Sequence, residues 1–253
     1  MLYRKFLFSF LSLLFTLHSS VLLAQDSLQF KSSLPKDSVV VGDHSSVPGR
    51  MLQGKIVDLA LPPNKLKVKS FIIPGAFLIY GGLKPVINGI PKLDDKIMNN
   101  ISENHPSFHT NAADYLMWVP SASVYTMDAF HVKMQHSFKE QVIIEAGSIL
   151  VTGALGFGMR KISENINAYK SEYTKFPSGH TANAFRGAEI VHQELKFSHP
   201  VLSYSGYLVA TSVGLLRMYN KQHFLSEVIA GAGLGILSTK LTYWIFGKIK
   251  EKR

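Results

Sequence analysis

Pro177-Ser178-Gly179-His180, followed further along by Arg217-x5-His223-x3-Glu227, are the stretches on which the reading of this chain turns. Pro177 closes the segment before it, Ser178 stands where a helix N-cap hydroxyl belongs, and Thr181 to Leu195 reads on as a helix. His223 and Glu227 are spaced to project from one helix face, where a carboxylate can hold an imidazole in a single tautomer. Arg217 precedes that histidine and brings a permanent charge whose forked donors suit phosphate oxygens. By itself the tetrapeptide reads equally well as an ordinary helix entry. The two blocks together point to phosphoryl chemistry.

Around them the sequence predicts an all-α domain, a bundle of about six helices. The candidates are Phe71 to Val86, Asp114 to Phe130, Glu140 to Arg160, Ser178 to Leu195, Val201 to Arg217 and His223 to Lys248. Lys84 to Asn111 and Asn165 to Pro177 read as polar connections, and no internal repeat is visible.

The N-terminus sets the compartment. Met1 to Ala24 has Arg4 and Lys5, then the apolar run Phe6 to Phe15, then Leu22-Leu23-Ala24 before Gln25-Asp26, the pattern of a secretory signal peptide, with an uncleaved anchor helix as the alternative. Without that stretch, which holds no acid, the formal net charge falls from +10 to +8. Residues 25–69, rich in Ser, Pro, Asp and Lys, read as a weakly ordered lead-in, and residues 70–253 as the helical domain. The chain has no cysteine, so its stability must come from packing, which is feasible at this length. The basic excess suits a phosphorylated lipid, another acidic substrate or an anionic membrane surface. Nucleic acid is disfavoured by the export signal and by the lack of a recognisable binding motif.

These residues resemble the type 2 phosphatidic acid phosphatase and vanadium haloperoxidase superfamily, whose pattern runs Lys-x6-Arg-Pro, Pro-Ser-Gly-His, then Ser-Arg-x5-His-x3-Asp. The second block is intact. The third matches at Arg217 and His223, with Glu227 in place of Asp and Leu216 in place of Ser. The first departs most: its best placement is Arg160-x6-Asn167-Ala168, so Arg160 replaces Lys while Asn167 and Ala168 replace Arg-Pro. Lys170 and Lys175 follow as substitute charges, but a lysine does not reproduce a bidentate fork. The resemblance extends over residues 80–247 and takes in Trp118 to Tyr125 and Ala230 to Gly235.

The resemblance implies that His223 attacks phosphorus and forms a phosphohistidine, with Glu227 orienting its ring and stabilising its positive charge. His180 is then the general acid on the leaving oxygen and afterwards the base for water. Arg160, Arg217, Ser178 and the Gly179 amide are the implied phosphate ligands, at a helix N-terminus that favours anions. The scheme requires no metal and no cofactor. It implies a metal-independent envelope phosphatase acting on a phosphomonoester or pyrophosphate, with lipid head groups as the favoured class. Two alternatives stand beside it: a weakened or inactive phosphate-binding or structural homologue, motivated by Asn167, Ala168 and Glu227, and a vanadate-dependent peroxidase.

His105, His109, His131, His136, His192 and His199 have no ligand-set spacing and read as surface or structural residues. Glu140 to Arg160, Val201 to Leu216 and Val228 to Gly247 are apolar enough to be weighed as membrane spans, although most segments are at or below spanning length. Arg186, Glu189, His192 and Glu194 would make their helix costly against lipid and natural in a water-exposed bundle. All three blocks fall at one end of the bundle, with the basic tail Lys248 to Arg253 at the other. A cytoplasmic tail puts the site on the periplasmic side. A cleaved signal followed by six spans would put it on the cytoplasmic side, so one of those premises fails, and the Gly- and Pro-interrupted Phe71 to Val86 is the first candidate not to span. Membrane association is the expectation, and a soluble periplasmic bundle is the alternative. The sequence leaves oligomeric state open.

Overall fold

The computed structural model describes residue 61, residues 66–166 and residues 176–252. The predicted signal peptide, nearly all of the lead-in, and Asn167, Ala168, Lys170 and Lys175 lie outside the described residues. Among those that are described, every regular element is helical, which agrees with the all-α reading. The elements are α1 (Ile72–Gly82), α2 (Gly89–Asn104), α3 (Ala112–Leu116), α4 (Val119–Ala129), α5 (Phe138–Glu164), α6 (Gly179–Leu195), α7 (Ser205–Tyr219) and α8 (Leu225–Glu251). Short 3-10 turns at Val68–Phe71 and Leu202–Tyr204 lead into α1 and α7.

The described residues therefore hold eight α-helices where about six were expected. Asp114 to Phe130 divides into α3 and α4, with Trp118 as the N-cap of the second and Pro120 in its first turn, where a missing N–H is harmless. The supposed connection from Lys84 to Asn111 contains α2. Its polar composition hid an apolar stripe at helical spacing, Ile90, Leu93, Ile97 and Ile101, of which Ile90 and Ile101 are buried.

The core runs along α6 and α8, which lie side by side and parallel: Lys240 on α8 bonds Glu189, Tyr243 bonds Glu194, and the Thr239 hydroxyl bonds the Arg186 carbonyl. Glycine makes that approach possible. A Cβ on Gly231 would lie 2.6 Å from the Ser178 carbonyl oxygen, and one on Gly235 would collide with the Ala182 carbonyl. These are backbone obstacles that cannot swing away, so only glycine lets the first turn of α6 rest on α8.

Helix α5 runs antiparallel to α8: Glu140 near its start pairs with Lys250 at 2.7 Å, while Ser163 near its end reaches the Phe176 carbonyl. A capping box opens it, the Glu140 carboxylate accepting from the Ser137 backbone N–H at 3.1 Å. Among the described residues, α5 and α8 are the two helices long and apolar enough to cross a membrane, whereas α7, at 15 residues, is too short. α8 is mostly buried in the bundle, but α5 is mostly uncovered and presents Ile149, Leu150, Phe157 and Ile162 outward.

The charges on α6 do not face water as their number suggested. Arg186, Glu189 and Glu194 are buried and paired. Arg186 meets Glu145 at 2.7 Å and bonds Ser121, Ser148 and Asn183; Glu189 takes Lys240 at 2.6 Å and also bonds Gln193 and Tyr207; Glu194 accepts from Tyr243 at 2.6 Å and meets His136 at 2.9 Å. Buried charge is tolerable only when its hydrogen-bonding capacity is used in this way.

Candidate active site

Four chain segments converge at the end of the bundle where α6 and α8 begin and α7 ends. His223 ends the turn between α7 and α8, one residue before the α8 N-cap Phe224. That turn passes through Lys221, whose positive φ of 59° reverses the chain, and Lys221 Nζ bonds the Pro106 carbonyl at 2.7 Å. Glu227 lies in the first turn of α8. Its Oε2 accepts from Nδ1 of His223 at 2.9 Å and from the Phe224 backbone N–H at 3.2 Å. One carboxylate oxygen thus caps the helix and fixes the imidazole, and Nε2 is the ring nitrogen left over. Both residues are buried, His223 at 7% exposed and Glu227 at 1%.

His180 lies in the first turn of α6 and Arg217 in the last turn of α7. A residue that the sequence reading passed over joins them: Oδ1 of Asp114, on α3, is 2.9 Å from His180 Nε2 and 3.2 Å from Arg217 Nη1. Partial burial lowers the pKa of His180, the charge of Arg217 lowers it further, and Asp114 opposes both. Arg217 is held in place by that one contact, and its Nε is buried without a hydrogen-bond partner among the described residues. A guanidinium with an unused buried donor can still donate to an anion oxygen.

Of the remaining predicted residues, Ser178 stands at the N-cap of α6 as expected, but its hydroxyl pairs with Thr181 Oγ1 at 2.9 Å instead of capping a backbone amide. Its own amide donates to the Glu227 carbonyl at 3.1 Å, stitching α6 to α8 beside His223. Gly179 opens α6 and is exposed. Arg160 lies near the end of α5 at this end of the bundle, and no hydrogen bond or ion pair joins its guanidinium to the His223 group among the described residues.

Lys84, Asp94 and Ser226 form a second layer that was also missed. Asp94 on α2 accepts from the Ser226 backbone N–H at 3.0 Å and from its hydroxyl, and Lys84 Nζ lies 3.3 Å from Asp94 and 3.9 Å from Glu227 Oε1. No sequence spacing signals Lys84 and Asp94, which come from the segment taken as a connection.

The end of the bundle thus gathers two histidines, an arginine, a lysine and three carboxylates from separate segments of the chain. The family model for the PAP2 superfamily matches residues 158–251, and this part of the chain is similar to the type 2 phosphatidic acid phosphatase superfamily. The Lipid A 1-phosphatase of Porphyromonas gingivalis is 32% identical over 161 residues, which are 60% of this chain and 35% of that protein. The chain thus spans about a third of the length of that curated relative. The transmembrane PAP2-type phosphatidylglycerolphosphate phosphatase of Bacillus subtilis, a solved structure, has a TM-score of 0.48 and 18% identity, covering 72% of this chain and 99% of its own.

Proposed function

We propose that this protein is a lipid phosphatase that removes phosphate from a phosphorylated lipid head group through a phosphohistidine on His223. The reading is carried by one observation: His223 is tied through Nδ1 to Glu227, which leaves Nε2 for attack, and it shares its end of the bundle with His180 and Arg217. The Porphyromonas gingivalis relative, a Lipid A 1-phosphatase, makes a phosphate ester on a lipid the first substrate class to test.

In the reaction, the phosphate displaces the Asp114 carboxylate from Arg217, which then uses its fork on two phosphate oxygens. The Gly179 amide at the start of α6 adds a donor and a favourable dipole end. Nε2 of His223 attacks phosphorus, the bond from phosphorus to the head-group oxygen breaks, and that oxygen takes a proton from His180. The phosphorylated ring, still protonated at Nδ1, is cationic, and Glu227 is the counter-charge beside it. Water then gives a proton to His180 and attacks phosphorus, the phosphorus–nitrogen bond breaks, and phosphate leaves with His223 restored.

In this reading the apolar outer face of α5 lies in a bilayer and the site opens at its surface, on the periplasmic side of the envelope. Leu150 is 73% exposed and Ile162 66%, too much apolar area along one helix for a face in water.

The test is phosphate release by purified protein from lipid A-type phosphate, phosphatidate, phosphatidylglycerophosphate and an aryl phosphate, beside His223→Ala. Release from a lipid that vanishes in the variant supports the reading. No release from folded wild-type protein overturns it in favour of a phosphate-binding homologue.

A further inference from the structure

We infer that Lys84 is a positioning residue for the His223–Glu227 pair, acting through the carboxylate oxygen that His223 leaves free. The inference rests on the phosphatase reading for its kinetic test and on the structure alone for its spectroscopic one.

Lys84 is 7% exposed, in the turn that follows α1. A buried ammonium is costly unless it is paired, and nothing in the packing of α1 against α8 calls for a charge where an unbranched apolar chain would fill the same space. The ammonium lies between two buried carboxylates, 3.3 Å from Asp94 Oδ2 and 3.9 Å from Glu227 Oε1, with the Phe224 ring face 4.0 Å away. Asp94 is anchored independently by the Ser226 amide and hydroxyl, so it holds the ammonium and does not compete for His223.

Glu227 is therefore gripped from both sides. Its Oε2 faces His223 Nδ1 and the Phe224 amide, and its Oε1 faces Lys84. A carboxylate on a flexible glutamate stem has rotamer freedom, and a fixed cation on the second oxygen removes it, so the imidazole receives one orientation and one tautomer. Charge arithmetic points the same way. Lys84, Asp94 and Glu227 sum to one negative charge, which the cationic phosphohistidine ring brings to zero; without Lys84 two buried carboxylates share the pocket with no cation between them. The arrangement is matched to the charge that forms during the reaction.

The experiment uses the full chain in detergent and compares wild type, Lys84→Met, Lys84→Arg, Glu227→Gln and the Lys84→Met/Glu227→Gln double variant. Lys84→Met should lower kcat about ten- to a hundredfold, the range for outer partners that orient ligands in metal sites. KM for the lipid phosphate should stay within about twofold, because the group acts after binding. Lys84→Arg should restore most of the rate, and in the Glu227→Gln background Lys84→Met should cost nothing further, because the route through Glu227 is already cut. Lys84→Gln, which keeps a donor to Asp94 but no charge, replaces Lys84→Met if the latter does not fold. An unchanged kcat, or an equal loss in both backgrounds, overturns the inference. Ring 15N shifts of His223, assigned by their loss in His223→Ala, read positioning without turnover: wild type should show the single Nδ1–H tautomer and the neutral Lys84 variant a mixture. If wild type releases no phosphate, the phosphatase reading fails, and these shifts still decide the role of Lys84, identical spectra being the result against it.

Discussion

Asp114 and His180 meet through Oδ1 and Nε2 at 2.9 Å, although they lie on different helices, and the same oxygen reaches Arg217. The carboxylate thus sits between the imidazole and the guanidinium, the place that the phosphate group takes in the proposed reaction. It also raises the pKa of His180 against burial and the charge of Arg217, which lower it.

That opposition gives a signed pH prediction for Asp114→Asn. In the proposed reaction His180 must carry a proton to act on the leaving oxygen, and its pKa already lies below the ordinary histidine value, so kcat/KM should fall as pH rises through that lowered value. The variant removes the one influence that raises it. The fall should therefore move to more acidic pH, read from kcat/KM profiles of both proteins; a shift towards alkaline pH would contradict the assignment of His180 as acid.

Glu227→Asp restores the residue type of the family pattern yet should lower kcat here, by roughly tenfold. Oε2 of Glu227 spans both His223 Nδ1 and the Phe224 amide, and a stem one methylene shorter, on a helix placed for glutamate, cannot serve both. Steady-state kinetics on the variant decide this, with a gain in kcat as the contrary result.

Removal of Asp94 should be felt as stability. Asp94→Ala strips the ion pair from the buried ammonium of Lys84 and two acceptor contacts from Ser226, and breaking a buried pair on one side costs about 3–5 kcal/mol. Denaturant unfolding in detergent should show this loss, and a cost near zero would mean that the Lys84 environment is wetter than its burial indicates.

Gly231→Ala tests the seat of α6 on α8. The added carbon would come within 2.6 Å of the Ser178 carbonyl, so the two helices must separate, at a cost of about 1–3 kcal/mol. Because His180 is two residues beyond Ser178, turnover should fall with stability. A variant of unchanged melting temperature and activity would show that the contact is slack.

The outward face of α5 gives a further test. Leu150→Lys places a charge at an exposed apolar position, and the protein should leave the membrane fraction more readily in vesicle flotation if that face meets lipid. Equal flotation of both proteins would place another surface against the bilayer.

What the sequence disclosed and what it hid divide along chain separation. The His223–Glu227 pair and the Ser178 cap position were legible because helical spacing places neighbours in sequence on a known face. α5 to α8 were legible from apolar periodicity, with ends misjudged by a few residues. Asp114, Lys84 and Asp94 were not, since each reaches its site partner across a long stretch of chain and sits in a segment whose composition resembles a loop or an ordinary amphipathic helix. The buried charges of α6 misled for a related reason: their partners Glu145, Lys240 and Tyr243 lie on other helices, so solvent looked like the only available partner.

The most direct test of the central claim is to trap the phosphorylated enzyme. Protein mixed with a lipid phosphate and quenched in alkali, where phosphohistidine survives, should yield one phosphorylated peptide carrying the group on His223, absent from His223→Ala. Sustained phosphate release with no label on His223, or with label on another residue, would contradict the account.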